Sequence, residues 1–525
     1  MAGCTDEFRR DPPVLRPEQD VTARHRESRR FAVPMPGRRG TRVLTVVGVI
    51  GLSLVATAVP VGADSGPTPR ATATDGAATS PAFSTALPVP AAADLPTAAA
   101  AVPAAVAPQA PAASPAAVAA AQARISRLLP LRFGSRAVAT YLGRRVSIQV
   151  EDAITGRVLW SRSPRVGRLP ASNLKVLTAA AVLSTYGPSR RLATQVVRGR
   201  VADALVLRAG GDPLLTSTDL DRLAASTAAA LTTTPTPSPT SPTPTPTSTT
   251  PPTPSAYALY VDDGMFASPT LAPGWSRAQV PGTIRLVRAL VRDRRILRDT
   301  SADAASYFAG RLRAHGLNAV YRGRTSSTRT RPVVASFAGH TVLESVRRML
   351  IYSDNNVAEM LLRDAAVGRG RPGTWLGGTQ TIRTVLARLG IALVGLRTYD
   401  GSGLSRGDRV PVRVLTAVLR SALKPANASL RPLFDGGVLP VAGRNGTLSA
   451  GSGRYNTAPS RCARDLIWAK TGSLHDVVGL TGYARGSDGR VRAFSMLVNA
   501  RPERYAILSA RRALDRLAST ITGCW

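Results

Sequence analysis

Two low-complexity runs decide which parts of this 525-residue chain can build a folded core. Residues 64–121 are rich in alanine, proline and threonine and nearly free of charge, which predicts a disordered, extended spacer. Residues 232–255 consist of threonine, proline and serine alone, so they predict a surface loop that could accept glycans. A hydrophobic core must therefore come from residues 122–231 and 256–525.

An apolar segment near the N-terminus predicts export. Residues 43–63 contain no charge and are long enough to cross a bilayer, and three arginines lie just before them in residues 38–42. The arginines predict that residues 1–42 form a basic cytoplasmic tail. The apolar segment is either an uncleaved transmembrane anchor or, if translation starts at Met35, a signal peptide. A soluble core helix is the remaining alternative, whereas both membrane interpretations predict an extracytoplasmic protein, anchored or secreted.

The charge and the cysteines restrict the possible partners. The formal net charge is +36, but the arginines are scattered and lack interleaved aromatic residues, so no nucleic-acid partner is predicted. No Cys/His cluster has zinc spacing, and we expect neither a metal nor another cofactor. Export would place Cys462 and Cys524 in an oxidising compartment, away from Cys4. These two cysteines are a candidate disulfide, and two buried free thiols are the alternative.

Hydrophobic periodicity indicates an antiparallel sheet with helices packed on it. Residues 145–163 alternate around a short turn and predict a β-hairpin. Three apolar runs at 466–471, 477–484 and 491–499 are joined by short polar turns and predict antiparallel neighbours. Residues 503–521 have apolar positions at helical spacing, so an amphipathic helix is expected to close the fold.

Lysine is rare in this chain. Of the 68 lysine and arginine residues only three are lysines, Lys175, Lys424 and Lys470. A guanidinium does not lose its proton in a protein, whereas a buried amine can, so a site that needs a neutral amine as base requires lysine. Ser172 and Lys175 are three residues apart in a helix predicted over residues 172–185, which places both side chains on one face. The alternative is that Ser172 is an ordinary helix cap.

Two further motifs follow S-x-x-K along the chain. Ser353 and Asn355 belong to Y-S-D-N-N at a predicted loop-to-helix corner, although S-D-N is also a common helix cap. Lys470 opens K-T-G-S-L on a predicted strand, where Gly472 permits close approach of another backbone. The order S-x-x-K, S-x-N, K-T-G is far more specific than any single member. The 180 residues between Ser172 and Ser353 are too many for one connection and indicate an inserted domain.

From residue 122 onward the chain resembles D-alanyl-D-alanine carboxypeptidases of the penicillin-binding protein 4 type, peptidase family S13. Beyond the three motifs, the matching segments are G-G-D-P-L-L-T at 210–216, V-D-D-G-M-F at 261–266, A-P-G-W at 272–275, Y-D-G-S-G-L-S-R at 399–406 and L-P-V-A-G-R-N-G-T-L at 439–448. The resemblance implies a serine-type carboxypeptidase, with or without endopeptidase activity, that cleaves peptidoglycan stem peptides. It also implies covalent inhibition by β-lactams.

The resemblance also implies the fold. We expect an α/β (α+β) protein of the penicillin-binding transpeptidase/β-lactamase-like type, an antiparallel sheet flanked by helices. Residues 122–195 and 336–525 would form the catalytic domain, and residues 196–335 would form the smaller inserted domain. A β-lactamase and a non-catalytic wall-binding protein share this fold and are the rival functions. Retention of lysine at two motif positions argues against loss of catalysis.

Roles transfer from the family motif by motif. Ser172 would form the acyl-enzyme with Lys175 as its base, and desolvation together with a second cation, Lys470, would lower the pKa of Lys175. The Ser353 hydroxyl would relay the proton to the departing D-alanine, and Asn355 would hold the peptide's amide. Lys470 and Thr471 would bind the terminal carboxylate, and the N–H groups of Ser172 and Ser473 would form the oxyanion hole. The implied site residues are Ser172, Lys175, Ser353, Asn355 and Lys470 for catalysis and Thr471, Gly472 and Ser473 for substrate binding.

Overall fold

The computed structural model describes residues 114–232 and 256–525, which belong to one compact unit. The predicted tail 1–42, the apolar segment 43–63, the spacer up to residue 113 and nearly all of the Thr/Pro run lie outside the described residues. In the part that is described, no helix combines the length and the apolarity that crossing a bilayer requires.

The described residues contain eleven α-helices and ten β-strands, besides short 3₁₀ helices and loops. The first are α1 Pro115–Phe133, α2 Arg136–Leu142, β1 Arg145–Asp152, β2 Val158–Arg162 and α3 Lys175–Tyr186. They are followed by β3 Thr194–Arg198, β4 Ala204–Arg208, α4 Ser217–Thr232, β5 Tyr257–Asp262, α5 Thr300–Ala314, β6 Ala319–Arg324 and β7 Val333–Phe337. The last are α6 Val342–Ile351, α7 Asn355–Gly368, α8 Trp375–Arg388, α9 Val412–Ser421, α10 Pro432–Asp435, β8 Ile467–Leu474, β9 Val477–Arg485, β10 Val491–Asn499 and α11 Ile507–Thr522.

The first sheet is antiparallel throughout and joins the two ends of the described chain. Its strand order is β2-β1-β10-β9-β8, so β8 lies at an edge. Strand β1 pairs with β10 over its whole length, with Arg145 opposite Asn499 and Asp152 opposite Arg492. The predicted hairpin over 145–163 and the three predicted C-terminal strands are confirmed. The edge position of β8 leaves its outer side open to other segments.

Helix α3 lies in the middle of the helical layer. Its residues from Lys175 to Leu183 are all buried, as expected for a helix that is apolar around most of its circumference. Alanine at positions 179–181 keeps the helix narrow, so α6, α7, α8 and α9 can pack closely around it. The first residue of this helix, Lys175, is therefore held in a rigid and dry environment.

Helix α1 begins earlier than we predicted. The expectation was a disordered spacer through residue 121, but the helix starts at Pro115. Ser114 caps it by accepting a hydrogen bond from the Ala117 N–H, and proline at the first helical position has no N–H to lose. The alanines that suggested a spacer are good helix formers once the cap and a buried face at Ile125 and Leu129 are present.

The second sheet is formed by the middle of the chain. Its order is β6-β5-β4-β3-β7, with β4, β5 and β6 parallel and β3 antiparallel to both of its neighbours. Helices α4 and α5 contact it, and the Thr/Pro run connects α4 to β5. This sheet runs from Thr194 to Phe337. The division into a catalytic domain and an inserted domain at 196–335 stays a prediction.

A disulfide joins Cys462 to Cys524, with a Cα–Cα distance of 6.0 Å. It ties Cys524, two residues after the end of α11, to the 3₁₀ turn at Ser460–Ala463 that precedes β8. Helix α11 contacts β9, and apolar residues such as Leu514 and Leu517 fill the space between the helix and the sheet. The disulfide therefore holds α11 against the sheet whose edge strand contains K-T-G.

Candidate active site

Ser172 and Lys175 meet at the turn that enters α3. A short 3₁₀ turn over Ala171–Leu174 precedes the helix, and Lys175 Nζ lies 2.9 Å from Ser172 Oγ. Ser172 is partly exposed, whereas Lys175 is fully buried. The N-cap of α3 is Leu174 without any side-chain hydrogen bond, so Ser172 does not cap this helix. The serine hydroxyl instead faces the amine.

The other contacts of the amine orient it. Lys175 Nζ donates to Asn355 Oδ1 at 2.8 Å and to the Ser402 carbonyl oxygen at 2.9 Å. Both of these atoms can only accept hydrogen bonds, so each requires an N–H from the amine. When the amine is neutral it has two N–H bonds and one lone pair, and the lone pair then points at Ser172 Oγ. This is the arrangement that a general base for the serine needs.

Burial sets the protonation of Lys175. Burial lowers the pKa of its ammonium to about 8, and the negative charges of Glu359, Asp400 and Asp354 partly oppose that shift. We predicted that desolvation and the neighbouring cation Lys470 would lower this pKa together, and the desolvation is confirmed. Burial and the nearby charge of Lys175 instead lower the pKa of Lys470 well below its usual value.

The S-D-N motif forms the corner between α6 and α7. Ser353 has a φ of 60°, in the left-handed region that a non-glycine residue adopts only when the surroundings hold it there. Asp354 caps α7 by accepting from the Val357 N–H, which accounts for the capping interpretation of this motif. Asn355 points back to Lys175 and donates through Nδ2 to the Thr283 carbonyl at 3.3 Å. Within the described residues, the Ser353 hydroxyl makes no hydrogen bond.

The K-T-G segment lies in β8, against the turn that holds Ser172. A side chain on Gly472 would come within 2.3 Å of Asn173 Nδ2 and 2.9 Å of the Pro170 oxygen, so only glycine fits there. This is the close approach that the sequence predicted. The Lys470 ammonium is fully buried and donates to the Thr471 carbonyl oxygen at 2.8 Å.

The outer edge of β8 presents N–H groups to the site. The Ala469 N–H donates to Pro440 O at 2.9 Å, on the side away from β9. Strand alternation directs the N–H groups of Thr471 and Ser473 to this same side. The two hydroxyls are also engaged: Thr471 Oγ1 donates to Thr447 Oγ1 at 2.8 Å, and Ser473 Oγ accepts from Arg511 Nε at 3.0 Å.

Sequence reasoning missed the residues that hold the Ser402 carbonyl. Glu359 is fully buried, and its carboxylate accepts the N–H groups of Gly401 and Ser402 at 2.8 and 2.7 Å. Asp400 accepts from Trp275 Nε1 at 2.7 Å and from the Gly403 N–H at 2.8 Å. The family resemblance could have indicated Trp275 and Asp400, because they lie in two of the segments quoted for it.

Glu359 and Asp400 are both fully buried. Burial, together with the charge of Asp400, raises the pKa of Glu359 to about 8. Burial and the charge of Asp400 also raise the pKa of Asp408 well above its usual range. Gly403 has a φ of 83°, and a side chain there would overlap the Ala171 oxygen at 1.9 Å. The turn over residues 400–405 therefore packs directly beneath the nucleophile turn.

Known proteins match this chain over most of the described residues. Residues 137–236 and 278–521 match the model of the D-Ala-D-Ala carboxypeptidase 3 (S13) family. Carboxypeptidase DacB of Mycolicibacterium smegmatis is 31% identical over 391 residues, which cover 72% of this chain and 80% of that protein. The D-alanyl-D-alanine carboxypeptidase of Actinomadura sp. strain R39 is 28% identical over 422 residues, covering 67% and 77% respectively.

The fold is also that of a solved structure. Penicillin binding protein 4 (dacB) of Haemophilus influenzae superimposes with a TM-score of 0.58 at 19% identity, covering 74% of this chain and 98% of that one. The same protein in complex with a β-lactam superimposes with a TM-score of 0.55 at 20% identity. The predicted fold class, a penicillin-binding, β-lactamase-like fold, is confirmed.

Proposed function

The chain belongs to the D-Ala-D-Ala carboxypeptidase 3 (S13) family, and we propose that Ser172 is the nucleophile with which it cleaves peptidoglycan stem peptides. The protein is a serine-type D-Ala-D-Ala carboxypeptidase that works through an acyl-enzyme and is inhibited by penicillin. The observation that supports these roles most directly is the contact between Lys175 Nζ and Ser172 Oγ at 2.9 Å, inside a buried site.

The acylation step follows from this geometry. Neutral Lys175 takes the hydroxyl proton of Ser172 as Oγ attacks the carbonyl carbon of the penultimate D-alanine. The N–H groups of Ser172 and Ser473 stabilise the negative oxygen of the tetrahedral intermediate. The proton then passes from Lys175 through the Ser353 hydroxyl to the D-alanine nitrogen, and the C–N bond breaks. Water hydrolyses the ester, and Ser172 regains its proton.

The remaining residues bind the substrate. Asn355 already donates to the Thr283 carbonyl and accepts from Lys175, so its amide is held at the position where the peptide backbone would lie. Lys470 and Thr471 bind the terminal carboxylate, and carboxylate binding favours the charged form of Lys470. Gly472 keeps the edge of β8 accessible to the peptide.

The place of action follows from the substrate. Stem peptides lie in the cell wall, so the enzyme acts outside the cytoplasm. We propose that residues 43–63 take it there, as a membrane anchor if they stay attached or as a signal peptide if they are removed. An endopeptidase activity on cross-linked stem peptides would use the same residues and is a second candidate activity.

Purified full-length protein tests this function. A synthetic stem pentapeptide ending in D-Ala-D-Ala should release one D-alanine per turnover, and a β-lactam should form one stable adduct that peptide mapping places on Ser172. Ser172→Ala should abolish both reactions, whereas Ser184→Ala, a matched change in the same helix, should leave both intact. Rapid turnover of the β-lactam would favour a β-lactamase, and a folded protein without either reaction would favour a wall-binding protein.

A further inference from the structure

A guanidinium group lies beside the K-T-G strand and has no role in the chemistry described above. Arg511, in the second turn of α11, donates through Nε to Ser473 Oγ at 3.0 Å. Alternation along β8 puts the Thr471 and Ser473 side chains on the same face of the sheet. Helix α11 thus places a cation next to the Ser473 hydroxyl. Ser473 is two residues along β8 from Thr471, which belongs to the proposed carboxylate site.

Arg511 has no direct ion-pair partner among the described residues, and the charge of Asp515 offsets the burial of its guanidinium only in part. It is half-buried, and in the described part of the chain no carboxylate forms an ion pair with it. The nearest acid on the same helix, Asp515, is fully buried and is already paired with Arg454. A half-buried cation without a counter-ion is unusual, because burial is unfavourable for an unpaired charge.

Other cations surround the same place. Arg501 also lacks a carboxylate partner among the described residues and donates to the backbone oxygens of His475, Pro502 and Tyr505. The Lys470 ammonium lies on the other face of β8. Arg454 and Arg501 are close enough to lower the pKa of Arg511 further, after burial. The unpaired charges of Arg501 and Arg511 therefore make the end of β8 electropositive, which favours an anion.

We propose that Arg511 binds the C-terminal carboxylate of the substrate, together with the Thr471 and Ser473 hydroxyls, and makes the enzyme selective for peptides with a free terminal carboxylate. This inference rests on the proposed function. The guanidinium has nitrogen donors left beyond the one bound to Ser473, and a carboxylate accepts two of them in parallel geometry. Ser473 then positions Arg511 before the substrate arrives.

Two peptides separate this role from a structural one. They are identical stem pentapeptides that differ only at the C-terminus, one a free D-alanine carboxylate and the other its carboxamide. Cleavage is measured as kcat/KM with full-length wild-type protein and with Arg511→Ala, Arg511→Lys and Arg512→Ala. Arg512 is the matched control, since it is the adjacent arginine of α11 and donates to the Gly453 oxygen instead. Thermal melting checks that each variant is folded.

The expected result is selective. Arg511→Ala should lower kcat/KM for the free acid about ten- to a hundredfold, the usual effect of losing a hydrogen bond to a charged group, and leave the carboxamide nearly unchanged. Arg511→Lys should recover part of the loss, and Arg512→Ala should behave as wild type. An equal loss on both peptides, or no loss on either, would overturn the role of Arg511 while the proposed function stands. A wild-type enzyme that cleaves neither peptide would overturn the proposed function and this inference with it.

Discussion

Lys175 Nζ lies 2.9 Å from Ser172 Oγ, and its two other hydrogen bonds go to oxygen atoms that can only accept. Asn355 and Ser402 therefore fix the direction of the amine lone pair once the ammonium has lost a proton. The pKa of about 8 makes that loss accessible near neutral pH. Two hydrogen-bond acceptors thus set the orientation of the Lys175 amine, whereas burial sets its protonation state.

Acylation should depend on pH with a midpoint near 8. Below this value Lys175 is protonated and cannot accept the Ser172 proton, so the rate constant for β-lactam acylation should rise with pH and level off above the midpoint. At pH 6 the rate constant should be about a hundredfold below the plateau, the fraction of neutral amine two units below its pKa. Stopped-flow acylation between pH 5.5 and 10 measures this. A flat profile, or a midpoint near 10, would exclude Lys175 as a base with a lowered pKa.

Glu359→Gln should alter the same profile in two ways. An amide has one acceptor oxygen, so one of the backbone N–H bonds to Gly401 or Ser402 is lost and the Ser402 carbonyl shifts, which lowers the plateau rate. The substitution also removes the negative charge that Glu359 carries as it titrates near its own pKa of about 8, and because this charge raises the pKa of Lys175, the midpoint should move to lower pH. Glu344→Gln, in the surface capping box of α6, is the control and should change neither. A midpoint that moves upward would contradict this role.

The same substitution at two tryptophans should have opposite effects. Trp275→Phe removes the indole N–H that donates to Asp400 at 2.7 Å, and we expect a loss of about 1–3 kcal/mol in the free energy of unfolding together with slower acylation. Trp468 Nε1 is buried and has no acceptor among the described residues, so Trp468→Phe removes an unsatisfied donor and should be neutral or stabilising. Chemical denaturation of both variants measures the difference. Equal losses would show that the Asp400 hydrogen bond is unimportant.

Loss of the disulfide should affect stability and spare the chemistry. The Cys462–Cys524 bond closes a loop of 62 residues, for which the chain-entropy model gives at most about 4 kcal/mol. Cys462→Ser should lower the free energy of unfolding by about 2–4 kcal/mol, because α11 is no longer tied to the turn before β8. Acylation at 25 °C should stay close to wild type, since the polar contacts of the two cysteine sulfurs go to backbone oxygens at 459, 519 and 524 and to none of the proposed catalytic residues. A large drop in acylation with unchanged stability would contradict this account.

The sequence predicts the catalytic residues better than the residues that hold them in position. S-x-x-K and K-T-G each lie within one local element, so their spacing was enough to place Ser172, Lys175 and Gly472 relative to the chain. The Ser402 carbonyl and Glu359 are more than 180 residues beyond Lys175, and only tertiary packing brings them together. Burial as a cause of the lowered pKa of Lys175 was predicted, but the packing of four helices around α3 that buries the amine could not be derived from local sequence.

Local sequence gave opposite indications at the start of the fold. The alanine and proline of residues 64–121 are typical of an extended spacer, but the same residues also suit the first turn of a helix. Ser114, Pro115 and the apolar positions Ile125 and Leu129 distinguish the two, because a cap and a buried face exist only where the helix can pack on the sheet. The C-terminal strands were easier to predict, since their apolar runs are separated by short polar turns.

The most direct test of the account replaces the amine while keeping its charge. Full-length wild type, Lys175→Arg and Lys424→Arg are incubated with a β-lactam at pH 8, and intact-protein mass spectrometry follows adduct formation with time. A guanidinium does not deprotonate, so Lys175→Arg should acylate at least about a thousandfold more slowly than wild type. Lys424→Arg, the same change at an exposed lysine, should match wild type. Acylation of Lys175→Arg within tenfold of the wild-type rate would contradict the assignment of Lys175 as the base.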